Sequence, residues 1–191
     1  GIIIGVASVV IMVSVVAGQN EKNMEWMEAM GNNNVDVNAE SYTGQDMDAI
    51  LNEYVSTLSK DLVVGISPVV NLWGDMTVRY GGKSYSTQNW DNWEDYFNVY
   101  LGSEQYGLCN NYTIARGREL SHLEVEKANN VCVLGGRMAE RLFDYVDPIG
   151  KTITLNGTPF QVVGVYERKT EDGTMYGSPE WDNTIVIPYT F

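Results

Sequence analysis

Residues 147–165 read DPIGKTITLNGTPFQVVGV, and this stretch decides the fold. Asp147-Pro148 opens a turn that Gly150 closes ahead of the charged Lys151. Thr152, Ile153, Thr154 and Leu155 then alternate polar and apolar side chains, the pattern of a half-buried strand. Asn156-Gly157 follows. Both central residues of a type I′ turn need φ > 0, and these residue types meet that demand at least cost, so the pair predicts a hairpin. Phe160, Val162 and Val163 begin the return strand, which runs into Gly164-Val165-Tyr166. Upstream, Val131-Cys132-Val133-Leu134 reads as a buried strand. Gly135-Gly136 separates it from a short helix whose Met138, Ala139, Leu142 and Phe143 share one face. Downstream, Thr184-Ile185-Val186-Ile187 is a strand that Pro188 stops. The predicted order is strand, helix, hairpin, strand.

Six segments of this region carry a family resemblance. Arg116-Gly117-Arg118-Glu119-Leu120, Val131 to Gly135, Ala139 to Phe143, Asp147 to Thr152, Phe160 to Val165 and Ile187-Pro188-Tyr189 occur in an order and spacing that resembles the extracytoplasmic core domain of the MacB/FtsX family of ABC-transporter permeases. The match is strongest over residues 113–190. It implies an α+β fold, a porter-like split βαβ domain of sheet and helices with an inserted smaller α/β subdomain, preceded by a membrane or stalk helix. The chain divides accordingly. Residues 1–31 are the end of a transmembrane helix and its stalk, 32–70 and 113–191 the porter-like core, and 71–112 an inserted, aromatic-rich subdomain.

Composition is compatible with that reading. The 191 residues carry a formal charge of −13, which argues against binding nucleic acid or an anionic lipid surface. The acidity is uneven: residues 1–112 hold 4 basic and 14 acidic residues, and residues 113–191 hold 8 and 11. With 44% hydrophobic residues the chain can bury a sizeable core. Cys132 lies in an apolar strand, as buried free thiols commonly do, and Cys109 in a polar stretch. Their pairing stays open, because sequence does not supply the distance a disulfide requires.

Gly1 to Ala17, GIIIGVASVVIMVSVVA, contains no charge. As a helix it spans about 25 Å of a hydrocarbon core about 30 Å thick, and we read it as the outer part of a transmembrane helix. Met24, Met27 and Met30 continue at helical spacing as a stalk, which Asn32-Asn33-Asn34 ends. Val35 to Ala39 alternates as a short strand. Thr43 is the N-cap of an amphipathic helix in which Met47, Ile50, Leu51, Tyr54, Val55 and Leu58 share a face. Leu62 to Val70 reads as the next strand, interrupted by Gly65 and Pro68.

Residues 71–112 differ in texture, rich in Trp, Tyr, Asn, Asp and Gly. Arg79 to Tyr85 predicts a hairpin through Gly81-Gly82. Trp90, Trp93, Tyr96, Phe97 and Tyr100 follow close to one helical face. Aromatic side chains of this kind pack an insert onto a sheet, the favoured reading, and they are also the candidate surface for a partner or ligand. Beyond them, Ser121 with Glu124 forms a capping box for a helix through Lys127.

No catalytic, cofactor-binding or metal-ligating set emerges. Gly150-Lys151-Thr152 has the tail of a phosphate-binding loop, but the first glycine of that motif falls on Tyr145, and the segment leads into a strand rather than a helix. Asp91-Asn92-Trp93-Glu94-Asp95 places Trp93 where a calcium loop needs Asp or Asn, and reads as a solvated turn. His122 is the sole histidine, read as a surface residue in a first helical turn, and no G-x-S-x-G occurs. Asn111 and Asn156 begin formal glycosylation sequons, the second explained by its hairpin.

The expected function is therefore that of a non-enzymatic, extracytoplasmic domain in the cell membrane. The resemblance implies a cytoplasmic ABC ATPase subunit as the motor and a homodimer in the membrane. It also implies a role in export, extraction or mechanical signalling, with a peptide, lipoprotein or cell-wall enzyme as partner. Two alternatives differ in class. One is an anchored or secreted module that binds glycan or peptide through the aromatic insert or activates a cell-wall hydrolase. The other is a hydrolase with an unrecognised carboxylate pair.

Overall fold

The computed structural model describes residues 14, 18, 34–38, 44, 47–87, 96–170 and 179–191. The chain divides into two units, Gly1–Asn34 and Val35–Phe191. In the first, Ser14 and Gly18 are helical. The rest of the expected membrane helix and the methionine stalk lie outside the described residues. Among the described residues, no helix is long and apolar enough to cross a membrane.

The second unit is built on one mixed sheet, so the α+β reading holds. Its elements are α1 (Met47–Thr57), β1 (Val70–Asn71), β2 (Thr77–Tyr80), β3 (Lys83–Ser86), β4 (Asn98–Gly102), α2 (Tyr106–Cys109) and β5 (Ile114–Gly117). Then come α3 (His122–Glu126), β6 (Val131–Leu134), α4 (Gly136–Phe143), β7 (Thr152–Leu155), β8 (Thr158–Tyr166), α5 (Pro179–Asp182) and β9 (Thr184–Pro188). Among the described residues nine strands form the sheet, in the order β1-β4-β9-β6-β8-β7-β2-β3, with β5 beside β8. β6 is parallel to β8 and β4 to β9, and the other ladders are antiparallel. Strands from the aromatic-rich segment thus lie in the same sheet as those of the deciding stretch.

The period of two along each strand sorts side chains between two covered faces. Cys132, Leu134, Ile153, Leu155, Phe160, Ile185 and Ile187 meet Met138, Ala139, Leu142 and Phe143 of α4 on one face. Val131, Val133, Val163 and Val186 meet Tyr106 of α2 and Leu120 and Val125 around α3 on the other. Strands buried on both faces read as continuous apolar runs, as β6 and β9 do. Each fully buried aliphatic contributes on the order of 1.5–3 kcal/mol.

Local chemistry explains the boundaries. Asn156 and Gly157 have φ of 47° and 87°, the conformation the turn between β7 and β8 demands. Ser121 caps α3 by accepting from the Glu124 amide, while the Glu124 carboxylate accepts from the Ser121 amide at 2.9 Å. Gly164 lets β5 approach β8, since a Cβ there would stand 2.0 Å from the carbonyl oxygen of Arg118.

Three expectations are corrected. Residues 34–38 form no strand, and Val35 and Val37 are exposed: their alternation meets no described strand to pair with. Of the strand expected over residues 62–70, only Val70 pairs, with Leu101, because Gly65 and Pro68 interrupt the run and Leu62 and Val64 point outward. Tyr100 lies on β4 rather than on a helix with Tyr96 and Phe97; Asn98 to Leu101 pairs in register with Thr184 to Ile187, and that parallel ladder outweighs the helical spacing. Helix α1 forms where expected, although Ile50 and Tyr54 on its apolar face are exposed.

Candidate functional site

Phe97 is fully buried in the α4-facing core. Tyr96 directs its hydroxyl to Oδ1 of Asn98 at 3.2 Å, and Tyr100 packs toward the opposite face. Trp90 and Trp93 lie outside the described residues.

Tyr100 instead begins a run of tyrosines that sequence spacing did not reveal. Its ring lies 5.9 Å from that of Tyr106 on α2, which lies 6.1 Å from Tyr112, which lies 4.6 Å from Tyr166 at the end of β8. The last three stem from different elements, and only the fold brings them together. Burial raises the pKa of Tyr106, Tyr112 and Tyr166, so all three stay protonated. Tyr166 donates to Oε2 of Glu119 at 2.9 Å, and Tyr112 to the carbonyl of Trp181 at 2.9 Å. Glu119 itself is pushed above the usual carboxylate range by burial, partly opposed by the Tyr166 hydrogen bond.

Beside Tyr112, the third ring of this run, stands Lys169. Its ammonium donates to the carbonyl of Asn110 at 2.6 Å and lies 3.8 Å from the centroid of Tyr112, with the Trp181 ring at 5.8 Å. Burial lowers its pKa to about 8, against a pull in the other direction from Asp182. Asp182 is fully buried and accepts from the amides of Lys169 at 2.7 Å and Thr170 at 2.9 Å, and from the Thr170 hydroxyl. The cluster ties α2, the end of β8 and α5 together. Its hydrogen bonds hold these elements in fixed relation to one another.

The remaining sequence candidates are also placed. His122 is exposed, with Nδ1 3.4 Å from Glu104. Cys109 and Cys132 are free thiols, Cys132 fully buried. Among the described residues, no group of three His, Cys, Asp or Glu side chains is placed to hold a metal ion. Among the described residues, one concavity of about 300 Å³ lies between α4 and the end of β5, and another of about 510 Å³ is lined by residues of β2, β3 and β7.

The whole chain, residues 1–191, matches the family described as the MacB-like periplasmic core domain. It is 31% identical over 198 residues to the pyoverdine export ATP-binding/permease protein PvdT of Pseudomonas savastanoi pv. phaseolicola, covering 100% of this chain and 27% of that protein. It is 31% identical over 192 residues to the macrolide export ATP-binding/permease protein MacB of Azoarcus sp., with the same coverage of 100% and 27%. The chain thus spans about a quarter of the length of these curated relatives. Among solved structures, the periplasmic region of MacB from Actinobacillus actinomycetemcomitans aligns with a TM-score of 0.58 at 22% identity, over 86% of this chain and 68% of that one. At that identity the likeness is one of fold.

Proposed function

This chain belongs to the MacB-like periplasmic core domain family of ABC-transporter permeases and lies outside the cytoplasm, and from that premise we propose that it passes on mechanical work rather than catalysing a reaction. In this reading an ABC ATPase on the cytoplasmic side supplies the energy. Residues 1–31 connect the domain to the membrane as the end of a transmembrane helix and a stalk. The sheet, covered by α4 on one face and by α2 and α3 on the other, is the rigid body that is moved. The observation that carries the reading is the family match over all 191 residues.

The proposal extends to assembly and direction. The permease works as a homodimer in the membrane, and the cargo moves outward, as the names of both relatives state for their own cargoes. Trp90 and Trp93, with Tyr96, are the proposed contact for a peptide, lipoprotein or cell-wall enzyme.

The test is to extract the tagged full-length protein in mild detergent and identify what copurifies by mass spectrometry. The expected result is a dimer that contains a nucleotide-binding ATPase, either as a separate subunit or on the same polypeptide. A protein that extracts with no ATPase in either form overturns the proposal.

A further inference from the structure

The concavity of about 510 Å³ is lined by residues of β2, β3 and β7 and the turn between β2 and β3. Register builds it. Arg79 on β2 stands opposite Ser84 on β3 and opposite Thr154 on β7, so these three side chains form a row across adjacent strands on one face. Thr152, two residues before Thr154, shares that face. The intervening Val78, Ile153 and Leu155 point the other way into the core beneath α4.

The chemistry of the lining is unlike that of the chain. The protein carries 25 acidic residues against 12 basic ones, yet no carboxylate lines this concavity among the described residues, while Arg79 and Lys83 both do. Lys83 is already engaged, with Asp144 and a backbone carbonyl each at 2.7 Å. The Arg79 guanidinium and the hydroxyls of Ser84, Thr152 and Thr154 meet no hydrogen-bond or ion-pair partner among the described residues. The site therefore offers a planar fork of N–H donors flanked by hydroxyls, on an otherwise acidic molecule.

We propose that this face of β3, β2 and β7 is a binding site for a small hydroxycarboxylate, whose carboxylate pairs with Arg79. A guanidinium fork fits the two oxygens of a carboxylate side by side. The hydroxyls of Ser84 and Thr154, one strand away on either side, serve the ligand's own hydroxyl groups. The site stands independently of the transport reading, which assigns nothing to these residues.

The test is calorimetric titration of the full chain in mild detergent at low salt with L-tartrate, its uncharged diamide, inorganic phosphate and an N-acetylated dipeptide acid. Tartrate is expected to bind, the diamide not at all, and added salt to weaken the complex. Arg79→Gln is expected to weaken tartrate about tenfold, and Thr154→Val about threefold. Arg79 is exposed, so an unchanged melting temperature separates lost binding from lost fold. No tartrate binding, or binding indifferent to Arg79→Gln, overturns the site. Tighter binding of phosphate or of the dipeptide acid overturns the hydroxycarboxylate assignment.

Discussion

Lys83 donates from its ammonium to the backbone carbonyl of Arg141 at 2.7 Å, so the tip of the β2–β3 hairpin is moored to the last turn of α4. The carbonyls of a final helical turn have no partner within the helix, and a cation there also meets the negative end of its dipole. The mooring is doubled: the Tyr85 hydroxyl donates to the same oxygen at 3.2 Å, and the Arg141 guanidinium lies 4.1 Å over the Tyr85 ring. Lys83→Met is expected to cost about 1 kcal/mol. Hydrogen exchange reads the effect locally, as faster exchange at Val78 and Tyr85 than at Val133. Equal rates in both strands of the variant would refute the mooring.

Glu124 gives the fold an acid limit. The hydrogen bonds from the Arg118 guanidinium, at 2.7 and 2.8 Å, hold its carboxyl at about pKa 2 against the opposing effect of burial, and Ser121 adds to them. A depressed carboxylate stabilises the fold fully above its unfolded pKa, near 4.5, and loses that contribution as pH falls toward 2. Glu124→Gln is expected to flatten this part of the profile of melting temperature against pH. A variant that keeps the wild-type slope between those pH values contradicts the assignment.

Lys169 acts at the alkaline end with the opposite sense. Burial lowers its pKa from 10.5 to about 8, so between those values the unfolded chain holds a proton that the folded one has released. Stability should therefore rise with pH across that window, relative to Lys169→Met. The comparison cancels the other lysines and the tyrosines. A difference that does not change with pH would mean that Lys169 titrates normally.

Asn156 does more than turn the chain. Its Oδ1 accepts from the Thr77 amide at 2.7 Å and its Nδ2 donates to the Asp75 carbonyl at 3.2 Å, so the β7–β8 turn also fastens the start of β2. Asn156→Ala removes both bonds and places alanine at positive φ, with an expected cost of about 1–3 kcal/mol. Asn156→Gly keeps the turn and loses only the bonds. It should fall between wild type and alanine in denaturant midpoint, and a glycine variant below alanine would show that backbone conformation is not the larger part.

The sequence was most legible where a segment needs only itself. The Asn156-Gly157 turn, the Ser121 capping box, the Gly81-Gly82 hairpin and the apolar runs of β6 and β9 are set by neighbours within a few residues, and each appears where predicted. The register that puts Arg79 beside Thr154 joins positions 75 residues apart, and no local pattern encodes it. The tyrosine run failed to show for the same reason, since its rings come from β4, α2, the loop before β5 and β8. Aromatic spacing points to a helix at Tyr100 because the parallel partner that makes β4 a strand lies more than 80 residues away.

The place of β9 has a consequence for biogenesis. It lies between β4 and β6, so among the described residues β1 and β4 join the remaining strands only through Thr184 to Pro188, a segment made some 85 residues after β4. Translation and translocation thus deliver the other described strands before the one that unites them, and loop closure over that separation is slow. Until Thr184 to Pro188 arrives, β4 and β6 present open edges to any chaperone or protease in reach, and the emerging polypeptide is two unfinished ribbons awaiting their keystone.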